Sequence, residues 1–393
     1  MKQTIFALFM LLAAVNVAAQ GNQAHFEVEH GPYLQALTTN SVVVSFATSD
    51  RALSAVELRE KGSQEVSTHY MTKDGLRMAY SKHNNVEIKD LRPTTDYEYR
   101  IIAKPTLKYR PYDIRFGDEV QTEWYDFRTF APDAETFTFV ATSDIHDNAR
   151  KCEDLLAMHD MEKAEALFMV GDIVCDISRE GQAYESIIDV TSRLFARNKP
   201  LYLIRGNHEV RGSHCRDLDL YFHKIDGRYY SLQCFGSTAV LMLDSGEDKA
   251  DASAVFNGVK ELEQYVDQEI EWLREAVRSK AWRKAAHRIV MIHIPPTSAP
   301  MRRVQQLEEI LCWGSDRWGE KALDIFNNAD IDLMISGHTH QFNFIPAVKG
   351  EQNYPLVIND HRSAMTVKVD GDGIDVKVIN IDGEVLLEEH FQQ

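Results

Sequence analysis

The sequence predicts two units, an antiparallel β-sandwich followed by an α/β domain whose loops gather at one edge of a sheet. Three observations carry this. Short β-like runs without helical periodicity fill the first third of the chain, and in the remainder apolar runs alternate with helical stretches. Five polar motifs each follow such an apolar run: Asp144-Ile145-His146, Gly171-Asp172, Gly206-Asn207-His208-Glu209, His293 and Gly337-His338-Thr339-His340.

The amino terminus reads as a signal peptide over 1–19. Lys2 precedes an apolar run from Ile5 to Val15, and Val17-Ala18-Ala19 places small residues before Gln20. The run is too short to span a bilayer, and no other segment approaches the roughly 20 apolar residues a span requires. No cysteine follows closely enough for a lipid anchor. The protein is therefore expected to be exported, periplasmic or secreted, with no membrane span.

Residues 20–132 are expected to form the sandwich, with strands over 41–47, 55–59, 85–88, 96–102 and 124–129. The stretch from Leu91-Arg92-Pro93 to Tyr97-Glu98-Tyr99 resembles fibronectin type III domains, in which a tyrosine at a strand corner bonds back to the backbone. We expect this unit to pack beside the active-site face rather than to bind carbohydrate or act in adhesion, because it shows no aromatic cluster or ligand motif. Phe130-Ala131-Pro132-Asp133 reads as the linker, its proline interrupting strand pairing.

Residues 133–393 are expected to form the α/β domain. Strands over 136–142, 166–170, 200–204, 288–292 and 331–336 lead into the five motifs, which places every motif at a strand's carboxyl end. A further strand covers 237–243, and the loop Asp244-Ser245-Gly246-Glu247-Asp248 is expected to border the substrate. Val266, Ile270, Leu273 and Val277 form one stripe of a helix over 262–277, and 318–327 reads as another. Arg302-Arg303 reads as a solvated helix start. Asp370-Gly371-Asp372-Gly373 reads as a hairpin turn, because the twelfth position of a calcium loop would be Ile381 rather than glutamate.

Imidazoles, carboxylates and one amide oxygen make a borderline-hard donor set suited to two ions of iron, zinc or manganese. Paired ions roughly 3.5–4 Å apart clamp the attacking and leaving oxygens of an in-line displacement and acidify a shared water into a hydroxide nucleophile. One such motif alone is a turn former or helix cap as readily as a ligand. All five in order, each after a strand, point to metal-dependent phosphoester hydrolysis.

The motifs resemble those of the calcineurin-like metallophosphoesterase superfamily, which includes purple acid phosphatases and serine/threonine phosphatases. The resemblance implies a four-layer α/β/β/α domain. It implies that Asp144, His146, Asp172 and His340 hold one ion and that Asp172 as bridge, Asn207, His293 and His338 hold the other. It also implies that His208 contacts the substrate phosphate and protonates the leaving oxygen. Gly31-Pro32-Tyr33-Leu34-Gln35 resembles the opening of the purple acid phosphatase amino-terminal domain. Those enzymes carry an iron-binding tyrosine three positions after the bridging aspartate, where this chain has Cys175, and their first motif usually lacks a histidine at the position of His146. A coloured iron-tyrosinate site is therefore not expected. Serine/threonine phosphatases place at that third position an aspartate that orients the histidine. Here Asp176 lies one residue later, which leaves the partner of His208 open.

The expected activity is hydrolysis of small phosphomonoesters, with a phosphodiesterase or nucleotidase as the alternative and a metal-binding interaction protein as the non-enzyme reading. The chain has 393 residues, 44% hydrophobic and 26% charged, enough for two buried cores. Its net charge of −17, from 43 basic and 60 acidic residues, argues against broad nucleic-acid binding. The five cysteines are an odd number and prescribe no disulfide framework; Cys215 with Cys234 and free thiols are both open. A ligand role for Cys175 competes with a set that is already full. Oligomeric state has no signature in the sequence.

Overall fold

The computed structural model describes residues 25–392. The expected signal segment 1–19 lies outside them. The amino-terminal unit is one antiparallel, hydrogen-bonded sheet of eight strands. The separate strands expected over 41–47 and 55–59 are one strand, Val42–Glu60. Its first half pairs with Val28–Gln35 and Ser81–Ile88, and its second half with Ser67–Tyr70 and Asp96–Arg110. The register breaks between Ala47 and Ala52, where Asp50 and Arg51 are exposed. Val44 and Phe46 before the break share one core with Val56 and Leu58 after it, so the strand passes from one layer of the sandwich to the other. The expected corner is present: the Arg92 backbone N–H donates to the Tyr97 hydroxyl over 2.9 Å.

The first strand of this unit docks on the second. Tyr33 is fully buried in the neighbouring core, and its hydroxyl and the Gln35 amide both donate to the Tyr221 carbonyl, at 2.7 and 3.0 Å. The Tyr99 hydroxyl reaches the Arg197 carbonyl, and His83 meets the Tyr184 hydroxyl and Glu180.

The α/β domain contains two six-stranded mixed sheets. One runs Leu201–Ile204, Ala166–Val170, Phe137–Thr142, Ser363–Asp370, Gly373–Asn380, Val385–Gln392. The other runs Ser231–Phe235, Thr238–Leu243, His287–Ile292, Leu333–Ser336, Leu356–Ile358, Asn343–Ile345. Strand alternation sorts side chains between layers. Phe137, Phe139 and Ala141 enter a core shared by both sheets, while Val140 faces helix Ala149–Leu156 and the helical segment 184–196. Val240 and Met242 face the shared core; Leu241 and Leu243 face helices Leu262–Ala276 and Trp313–Asn327. The layering is α/β/β/α.

The last helix begins five residues before the expected 318, with the Cys312 thiol accepting from the Ser315 N–H at its amino end. Asp370 and Gly373 close a hairpin as expected. Arg302 ends a short helix and pairs with Asp316, and Arg303 pairs with Glu351. All five cysteines are free thiols.

Candidate metal centre

The motif-bearing strands run parallel within each sheet, so their carboxyl ends deliver all five motifs to one edge. Sharp turns follow. Asp144, His146, Asp172, His338 and His340 all have left-handed backbone, with φ between 52° and 72°. That conformation costs an L-residue about 1 kcal/mol or more and persists where the surrounding structure enforces it. Glycines make the close approaches possible. A methyl group on Gly171 would overlap the His293 ring, and one on Gly206 would overlap the Asp172 carboxylate.

Two ligand groups result. Asp144, His146 and His340 aim donor atoms at one point, and Asp172, His293 and His338 at another, with the atoms of each group within 4.8 Å of one another. In the first, His146 Nε2 and His340 Nε2 lie 3.0 Å apart, and Asp144 Oδ1 is 3.4 Å from His340 Nε2. In the second, His293 Nε2 faces Asp172 Oδ2 at 3.0 Å, and the Asn207 amide oxygen lies 3.1 Å from His338 Nδ1. Asp172 belongs to the second group; its Oδ1 accepts the His208 backbone N–H. Cys175 joins neither group among the described residues.

The donor set fits metal ions. Asp144 Oδ1 and His293 Nε2 are buried and face fellow members of their own groups, His340 Nε2 at 3.4 Å and Asp172 Oδ2 at 3.0 Å, so the donor atoms converge on one another. His293 Nδ1 is engaged by the Val170 carbonyl at 2.7 Å, which leaves Nε2 as the atom aimed at the carboxylate. Burial draws the His293 pKa down, but the Asp172 and Asp144 carboxylates override it and raise it to about 10, so in the metal-free chain a proton stands where a cation would. Burial and the neighbouring His293 pull His338 down to about 4 and keep its imidazole neutral, as a ligand must be.

Residues 137–342 match the family model described as calcineurin-like phosphoesterase. The chain belongs to that family. It is a metal-dependent phosphoester hydrolase, and its fold implies divalent metal cofactors, for which the two residue groups are candidates. Solved structures agree on the fold. A purple acid phosphatase, PPD1 from yellow lupin (Lupinus luteus) seeds, is 13% identical with a TM-score of 0.65, over 92% of this chain and 74% of that one. PhoD is 12% identical with a TM-score of 0.57, over 95% of this chain and 94% of that one. No curated protein matches the sequence. Among the described residues of this phosphoesterase, no helix is long and apolar enough to cross a membrane.

Several residues to which the sequence assigns no role in the chemistry shape the site. The partner of His208 is a backbone group: Nδ1 lies 2.5 Å from the Cys175 carbonyl. The loop bearing that carbonyl is tied by Asp147, which accepts from the Cys175 N–H and the Gln182 amide. Asp147 follows the first motif directly, which is its only trace in sequence. Glu209 is fully buried and accepts the N–H groups of Gly206, Asp172 and Ile173 at 2.7–2.9 Å, holding two motif loops together. Burial and the Asp172 carboxylate push its pKa up to about 7. Arg211 Nη1 lies 3.1 Å from His208 Nε2, and its guanidinium is held by Glu247 and Asp248. The 244–248 loop thus reaches the site through Arg211.

Proposed function

We propose that this phosphoesterase is an exported, binuclear hydrolase of small phosphomonoesters, with a signal segment over 1–19, a sandwich over 20–132 and a hydrolase domain over 133–393. The observation that supports two ions is the pair of separate donor groups at one edge, each with a buried donor atom facing its fellow ligands. Asp144, His146 and His340 would hold one ion and Asn207, His293 and His338 the other, with Asp172 between them. When bound, the pair would supply charge neutralisation for the phosphoryl group and an acidified water for in-line attack.

The chain's own residues do the rest. Glu209 fixes the loops of Asp172 and Asn207 relative to each other. The Cys175 carbonyl occupies His208 Nδ1, leaving Nε2 to give a proton to the leaving oxygen. Export and monoester preference rest on the sequence reading. Hydrolysis of an aryl phosphate and of its diester by the purified chain, with metal analysis alongside, tests the proposal: faster monoester turnover with two ions per chain is expected, and faster diester turnover overturns the substrate class. His208→Ala should retain both ions and slow turnover by about 10²–10⁴-fold; loss of an ion would make it a ligand instead.

A further inference from the structure

A groove of about 500 Å³ is walled by Arg211, the residue whose Nη1 lies 3.1 Å from His208 Nε2. In the proposed mechanism His208 Nε2 faces the leaving oxygen, and Arg211 joins that position to the groove. A leaving group that extends past Arg211 would enter this groove. The floor beyond is apolar: Val255 is 71% exposed, Val259 63%, and the Phe256 side chain lies beneath. The walls are basic. Arg211, Arg216, Lys249 and Lys260 line the groove, and the two carboxylates that meet them are Glu247 and Asp248. Arg211, Lys249 and Lys260 are paired with those two, while Arg216 has no ion-pair partner among the described residues. A second hollow of about 390 Å³ shares Val210, Arg216, Val259 and Lys260 with the first and lengthens it. On a chain of net charge −17, this local excess of cations over an exposed apolar floor is complementary to an amphipathic anion.

We infer that this groove is the leaving-group subsite, and that the substrate is a phosphomonoester whose leaving group has an apolar body carrying a second anionic group that meets Arg216. The inference rests on the proposed hydrolase with His208 beside the leaving oxygen. In calorimetry on the full chain, 4-carboxyphenyl phosphate should bind about tenfold more tightly than phenyl phosphate, the value of one added charge-assisted hydrogen bond. Arg216→Glu should abolish that ratio. Val259→Asp, which places a carboxylate on the floor, should do the same without touching Arg216. Equal binding of the two probes by the unaltered chain, or a ratio that survives Arg216→Glu, overturns the inference. If neither probe is hydrolysed but the binding ratio and its loss in Arg216→Glu persist, the phosphomonoester reading falls and takes the leaving-group assignment with it, leaving an anion-binding groove.

Discussion

The two ligand groups share an edge but not an environment. His293 and Asp172 are buried, and so is Asn207 beside His338. In the other group only Asp144 is fully buried, while the His340 side chain is 48% exposed. The buried group is also the more braced: His293 is tied to Val170, and Asp172 lies under the Glu209 carboxylate's bonds to Gly206, Asp172 and Ile173. A buried, pre-oriented site holds its ion against exchange, whereas an open one trades it with solvent. On the proposed binuclear reading, we expect one ion to be retained and the other to exchange.

The largest break in that comparison is Asp172→Asn. It removes the one carboxylate proposed to serve both ions, and we expect turnover to fall by at least about 10³-fold, with both ions weakened by metal analysis. Unchanged ion content and activity would remove Asp172 from the site. The next effect separates the groups. His293→Ala should cost the retained ion, while His146→Ala should leave it in place and empty only the exchangeable site, giving one ion per chain. Equal losses from the two variants would erase the distinction.

Glu209→Gln probes the bracing. The amide keeps one acceptor oxygen for three backbone donors, and a residue supporting ligands is worth about 10–100-fold in metal affinity. We expect the loss to fall on the buried ion, measured by competition with a chelator.

The last effect lies outside both groups and separates acid loss of metal from acid loss of fold. Burial pulls His159 down to about 4, and its Nε2 is enclosed without a partner. The unfolded chain takes up a proton below about pH 6.5 that the folded chain refuses, so stability falls as pH drops from about 6.5 to 4, by up to about 3 kcal/mol. Denaturant unfolding of the metal-free chain at pH 7 and pH 4.5 should show a smaller difference in His159→Gln than in the unaltered protein.

What was legible in the sequence follows from the physics. The motif loops could be read because buried parallel strands are continuous apolar runs that end abruptly, and because close ligand approach demands Gly171 and Gly206. Strand Val42–Glu60 reads as two because the polar Ser49-Asp50-Arg51 interrupts its apolar pattern; the register shifts there while the strand continues. Gly314, a poor helix former, masks the start of helix Trp313–Asn327, which has Cys312 as its cap. The pairing of Phe137–Thr142 with Ser363–Asp370 joins segments more than two hundred residues apart and leaves no local trace. The partner of His208 was illegible for a different reason: a backbone carbonyl has no letter in the sequence, and Cys175 contributes it regardless of its side chain.

Stepwise reconstitution of the metal-free chain tests the central claim most directly, with hydrolysis of an aryl phosphate followed against equivalents of metal added. If the buried group fills first and both ions are needed, activity should lag through the first equivalent, rise through the second and level off at two. A plateau at one equivalent, or full activity in the metal-free chain, would contradict the binuclear account.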